Sequence, residues 1–128
     1  MKTVLLLLFP LFSFTQVEKT VIPKKVSSVG NVSVYQADSV YTISFVDMKY
    51  MYTRNLHNIT FTGRQYLTDL LNTVSEMDVK DNPQEAYTVI LGREKVLVAW
   101  IGKKIALMCA DGSYFTLNAK LARRLNDF

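Results

Sequence analysis

Histidine and cysteine are the scarcest reactive residues in this 128-residue chain, which has one of each, His57 and Cys109. A lone cysteine excludes an intrachain disulfide, so an exported domain of this sequence must be held together by its core. Its position far from the N-terminus also argues against acylation of a cysteine directly behind an apolar leader. Zinc sites use three or four N, S or O ligands, commonly in close pairs. With the two N/S residues about fifty positions apart, no metal and no cofactor is expected. Asp78 and Asp81 lack the alternating ligands and glycine of a calcium loop. Glycine is also sparse, at five residues, and no glycine-rich stretch precedes a helix to cradle phosphate. A G-x-S-x-G nucleophile stretch is missing. No apolar run reaches the roughly 18 residues a membrane helix needs, so no mature transmembrane segment is expected. The charge imbalance is small: a net +4, or +3 once Lys2 leaves with a leader. That is too little to argue for nucleic acid, which requires basic residues clustered on one face.

Hydrophobic residues are plentiful at 49%, which excludes a disordered composition and is enough for one domain core. Part of that content forms a leader. Met1-Lys2 supplies a positive start, and Val4–Phe14 is an apolar stretch of eleven residues. Small residues, Ser13 and Thr15, stand at the −3 and −1 positions before Gln16. This resembles a bacterial Sec signal peptide over residues 1–15, cleaved before Gln16, and implies a periplasmic or secreted product. A buried apolar N-terminal element is the bland alternative, which Pro10 and Lys2 disfavour. Residues 16–29 read as an extended arm with a short edge strand at Val17–Ile22, and residues 30–128 as a single domain.

The clearest pattern lies in Tyr87–Leu117. It predicts four short strands, Tyr87–Leu91, Lys95–Ile101, Lys104–Ala110 and Ser113–Leu117. They are joined by tight turns at Gly92-Arg93-Glu94, Gly102-Lys103 and Asp111-Gly112. The middle two strands are apolar on both faces, which calls for a second layer or a partner on the far side. Upstream, Val29–Gln36 and Val40–Tyr50 alternate with period two and turn at Ala37-Asp38. A change of apolar parity near Val46 suggests a bulge at Phe45–Asp47 or cover on both faces. Asn55–Asn58 reads as loop and Ile59–Phe61 as a short strand. A helix follows: Thr62 and Gln65 match a capping box, and Leu67, Leu70, Leu71, Val74 and Met77 form one apolar stripe. It should end near Met77, ahead of Asp81-Asn82-Pro83. A second helix is predicted over Asn118–Asp127 with Leu117, Leu121 and Leu125 as its stripe. Its Lys120, Arg123 and Arg124 are read as a solvated, dipole-matched face rather than a nucleic-acid contact. Phe61-Thr62, Leu67 and Leu71 recur at the same spacing as Phe115-Thr116, Leu121 and Leu125. This hints at a duplication in which two helices are related by a pseudo-twofold axis and pack side by side on one sheet face. The expected fold is therefore α+β: an antiparallel sheet of six to eight strands with two helices packed on one face.

Few residues suggest chemistry. Cys109 with His57 is the one Cys/His pairing available to a nucleophilic mechanism, and it requires the His57 loop to fold over the Cys109 strand. Cys109, however, shares a face with Ile105 and Leu107, where a free cysteine behaves as a small buried hydrophobe, and His57 is expected in an exposed loop. Asp47, Glu76, Glu85 and Glu94 are the carboxylates a glycosidase-type pair could use, but no spacing singles out two of them. Asn31-Val32-Ser33 and Asn58-Ile59-Thr60 match the glycosylation pattern by coincidence, given the bacterial leader. The most interface-like cluster is Lys49, Tyr50, Tyr52, Arg54 and His57, with Met51 among them. Its bland reading is that both tyrosines complete the core. The expectation is an exported, non-enzymatic binding domain whose partner is a protein or small ligand. The rivals are a small secreted hydrolase using His57 with Cys109 or a carboxylate, and a self-associating envelope subunit.

Overall fold

The computed structural model describes residues 21–48 and 56–128. Lys24–Val29 (β1), Val32–Ala37 (β2), Val40–Val46 (β3) and Leu56–Thr62 (β4) form one antiparallel sheet in sequential order. Helix α1, Arg64–Lys80, follows. Ala86–Leu91 (β5), Glu94–Ile101 (β6), Lys104–Met108 (β7) and Tyr114–Leu117 (β8) form a second antiparallel sheet, again in sequential order. Helix α2, Ala119–Leu125, closes the order of elements. The class is α+β, with two sheets of four strands and two helices. The expected single sheet of six to eight strands is therefore divided. The physical reason is that α1 separates β4 from β5 in sequence, and these strands touch without forming a ladder. The β5–β6 turn instead lies against β4. Gly92 sits at φ +61°, and a Cβ there would come within 2.9 Å of the Thr60 carbonyl oxygen, so both backbone and space require glycine.

Alternation decides which faces are buried. In the first sheet Val32, Val34, Tyr41, Ile43, Phe45, Ile59 and Phe61 point inward. In the second, Val96, Val98, Ile105, Leu107, Phe115 and Leu117 do. Both sets, with the Leu67, Leu70, Leu71, Val74 and Met77 stripe of α1 and Ala122 and Leu125 of α2, make one continuous core. The sheets meet directly where the Phe45 and Phe115 rings lie 4.4 Å apart.

The helices run antiparallel, as contacts at their opposite ends show. At the start of α1, Arg64 donates to the backbone oxygens of Phe128 at 2.6 Å and Asn126 at 2.7 Å, with its guanidinium 3.9 Å from the Phe128 ring. Near the end of α1, the Asp78 carboxylate accepts the Ala119 N–H, at the start of α2, at 2.7 Å. Each half is thus four strands followed by a helix, and the two helices lie side by side in opposite directions, although over two sheets rather than on the one sheet face expected.

Several local expectations need correction. Thr62 does not cap α1: it ends β4, paired with Val40, and Gly63 at φ 104° takes the cap position without a side-chain bond. Gln65 turns outward and donates to Asp69 at 2.7 Å. The helix runs one turn past Met77 to Lys80 and stops at Asp81, whose left-handed backbone lets its N–H return to Met77. Residues 24–29, expected in an extended arm, form an edge strand closed by a turn at Gly30 (φ 55°). The register shift lies there, between Lys25 and Ser27, while β3 pairs regularly with β2 through Phe45 and with β4 through Val46. In α2 Asn118 takes the cap position, its Oδ1 accepting the Leu121 N–H at 2.8 Å.

Candidate functional site

Four of the expected surface residues, Lys49, Tyr50, Tyr52 and Arg54, lie outside the described residues. The fifth, His57, lies in a strand rather than an exposed loop. Extending β4 back to Leu56 places His57 in register with Phe45, so the alternation that buries Ile59 and Phe61 turns the imidazole inward as well. Its ring centroid is 5.2 Å from that of Phe45, and its side chain is only 25% exposed.

Around this imidazole three other reactive residues converge, all from the β5–β8 half. Glu94 is the first residue of β6 and has the inward parity of Val96 and Val98. Cys109 follows the last residue of β7 and is buried. Asp111 lies in the β7–β8 turn. One ring nitrogen of His57, a Glu94 carboxylate oxygen and the Cys109 Sγ all fall within 4.8 Å of one another. Nε2 is 3.6 Å from Glu94 Oε1, and Nδ1 is 3.5 Å from Asp111 Oδ2.

The turn carrying this group is stiff. The Cys109 N–H donates to the Ser113 carbonyl at 2.8 Å, and Gly112 returns its N–H to Cys109 at 3.0 Å. Asp111 Oδ1 accepts both the Ser113 hydroxyl at 2.6 Å and the Ser113 N–H at 3.0 Å. These donors hold the Asp111 carboxyl below the usual carboxylate range, with the neighbouring His57 adding to the effect. The carboxylate is thereby aimed, its second oxygen toward His57. Burial, reinforced by the adjacent Glu94 carboxylate, pushes the Cys109 thiol up from 9.0 to about 12. At neutral pH it is a protonated thiol and a poor nucleophile.

The arrangement bears on two chemistries. Cys109, His57 and Asp111 are the residue types of a nucleophile, a base and an orienting acid. A hydrolase would need an open cleft at the thiol, and the two described cavities lie elsewhere. One, of about 300 Å³, is lined by Asp78, Trp100, Lys104 and Leu121 among others, and the second, of about 530 Å³, lies between Thr60, Tyr66 and Ile90. The second chemistry is ligation, since imidazole, thiol and carboxylate are all donor groups for borderline metal ions. Sequence reasoning set His57 in a loop and Glu94 in a turn. The signal it passed over is period two, which runs from Phe61 back to His57 and from Val98 back to Glu94.

A different feature occupies the outer face of the second sheet. Leu97 pairs with Met108, Ala99 with Ala106 and Ile101 with Lys104, while Ile90 pairs with Lys95 on the same face. Ile90, Leu97 and Ile101 are 57%, 40% and 44% exposed. The far side of the doubly apolar strands is thus open to solvent over an aliphatic strip with a lysine at each end.

No family model, no curated protein and no solved structure matches this chain. Among the described residues no helix is long and apolar enough to cross a membrane.

Proposed function

We propose that this protein is an exported, non-enzymatic interaction domain that docks a partner protein on the outer face of its second sheet. The observation that carries this reading is the aliphatic strip of Ile90, Leu97 and Ile101, continuous with the half-buried Met108 and exposed on a sheet whose other face is fully used by the core. Contiguous exposed apolar area of this kind marks interaction surfaces on stable domains. Export rests on the leader at residues 1–15, with cleavage before Gln16 and a periplasmic or secreted product.

Charge indicates the partner. Lys95 and Lys104 stand on the strip at opposite ends, and both are exposed. A second copy would bring lysine against lysine, which disfavours the self-associating subunit. An apolar surface flanked by Asp and Glu fits both the strip and its ends. The hydrolase alternative is disfavoured in its Cys109 form by the burial of that thiol, and in its carboxylate form because the two described cavities lie away from His57.

A photo-crosslinking amino acid placed at Leu97 in the exporting cell tests this, with Val79 on the exposed face of α1 as control. The expected result is a discrete product at Leu97 whose partner peptide is apolar with flanking acidic residues, lost in Lys95→Glu/Lys104→Glu. Cross-links only between copies of this chain, or equal yields at Leu97 and Val79, would overturn it. A mature N-terminus other than Gln16 would overturn the export reading.

A further inference from the structure

We propose that His57 Nε2, the Glu94 carboxylate and Cys109 Sγ form a binding site for one divalent transition-metal ion of the zinc class, with Asp111 positioning the imidazole. This is independent of the docking face, which lies on the other side of the second sheet.

Three observations converge on it. The three donors come from separate parts of the chain, yet their ligating atoms lie within 4.8 Å of one another. In a tetrahedral zinc site, bonds of about 2.0–2.3 Å put neighbouring donors roughly 3.3–3.7 Å apart. The 3.6 Å between His57 Nε2 and Glu94 Oε1 is already such an edge, and the remaining approach requires side-chain movement of about 1 Å. Second, Nε2 is buried and has no hydrogen-bond partner among the described residues. A buried ring nitrogen is normally satisfied, and Glu94 stands just beyond hydrogen-bond reach, at a metal-bridged separation instead.

Third, the surroundings supply what a ligand imidazole needs. Metal-bound histidines commonly donate their other N–H to a carboxylate, which fixes tautomer and ring orientation. Asp111 Oδ2 stands on the Nδ1 side at an ion-pair distance of 3.5 Å, on a carboxylate fixed by two bonds from Ser113, so that a small turn of the ring would bring it into that place. Phe45 packs beside the ring at 5.2 Å between centroids. Glu94 and Asp111 are 32% and 58% exposed, so the site opens to solvent along its acidic side, which gives a cation an entry path. The mixed N, S and O set suits zinc and its neighbours in the first transition row, and excludes calcium and magnesium, which take oxygen ligands. Three protein ligands leave the fourth position to water. On binding, the Cys109 S–H bond breaks, a metal–sulfur bond forms and the proton passes to solvent; no redox change occurs.

The test is titration of the exported, chelator-treated protein with Zn²⁺ by calorimetry and with Co²⁺ by absorption. One equivalent should bind per chain, and Co²⁺ should give a near-ultraviolet thiolate-to-metal charge-transfer band. Cys109→Ser should abolish that band, and His57→Asn and Glu94→Gln should each weaken Zn²⁺ binding by more than about 100-fold. Asp111→Asn should retain the stoichiometry but bind about 10- to 100-fold more weakly. Circular dichroism identifies any variant that fails to fold, and the wild-type Co²⁺ band decides the question without a variant. Absence of that band, or Zn²⁺ binding unchanged in folded His57→Asn and Glu94→Gln, overturns the proposal.

Discussion

The two sheets share a strand order and a buried inner face, but their outer faces differ. Across the middle of the first sheet the outward residues are Ser33, Ser44 and Asn58, then Tyr35, Thr42 and Thr60. The Thr42 and Thr60 hydroxyls are 3.2 Å apart, and Ser28 and Ser33 pair at 3.1 Å. In the second sheet the two central strands present Leu97 and Met108, then Ala99 and Ala106, with Thr88, Tyr114 and Thr116 on the strands to either side. One architecture, used twice, thus presents a polar centre with Val40 and Leu56 exposed toward its ends on one sheet, and an aliphatic centre on the other. Folding constrains the inner faces most, which leaves the centre of each outer face free to be specialised.

The largest expected effect tests whether the inner faces are equivalent despite this difference. Ile43→Ala in the first sheet and Leu107→Ala in the second, both fully buried, should each cost about 2–5 kcal/mol. Because both lie in one core, denaturant unfolding followed by Trp100 fluorescence and by circular dichroism should show one coincident transition. Separate transitions for the two halves would break the comparison at its root.

A smaller effect distinguishes the inner faces by pH. The inward alternation of the second sheet ends in Cys109, whose thiol is raised from 9.0 to about 12 in the fold. The unfolded chain loses this proton near pH 9 while the folded protein keeps it to about pH 12. Stability from this group is therefore intact below pH 9 and declines as pH rises toward 12. Thermal melts in chelator should show wild type losing stability relative to Cys109→Ala across that window; parallel curves would remove the effect.

The smallest effect concerns the outer faces themselves. Leu97→Thr on the second sheet and Thr60→Leu on the first, both exposed positions, should each change stability by less than about 0.5 kcal/mol. Leu97→Thr should nonetheless abolish the cross-link expected at the strip when the probe stands at Ile101. A loss of several kcal/mol at Leu97 would mean that the strip belongs to the fold rather than to a partner.

Much of the fold was legible because its signals are local. Gly92, Gly102 and Gly112 have positive φ at the three turns expected of them, and the stripe from Leu67 to Met77 is buried in α1 as its spacing requires. Less was legible where a local signal competed with pairing. Thr62 and Gln65 form a plausible cap, but the ladder with Val40 claims Thr62. The candidate site was the least legible part. His57, with no neighbour in sequence that suggests ligation, was set in a loop. The interface cluster expected around it falls, His57 apart, outside the described residues.

Taken alone, the order of residues determined where the chain turns, which side chains alternate and which stripes must be hidden, because backbone sterics and hydrophobic period act over a few residues. It left two matters to tertiary structure: that eight strands divide into two sheets around one core, and that His57, Glu94, Cys109 and Asp111 meet. The reason is the same for both. Whether distant strands share a ladder, or distant side chains share a few ångströms of space, depends on how separately formed faces pack. Alternation only says which way each residue looks, and packing decides what it finds there.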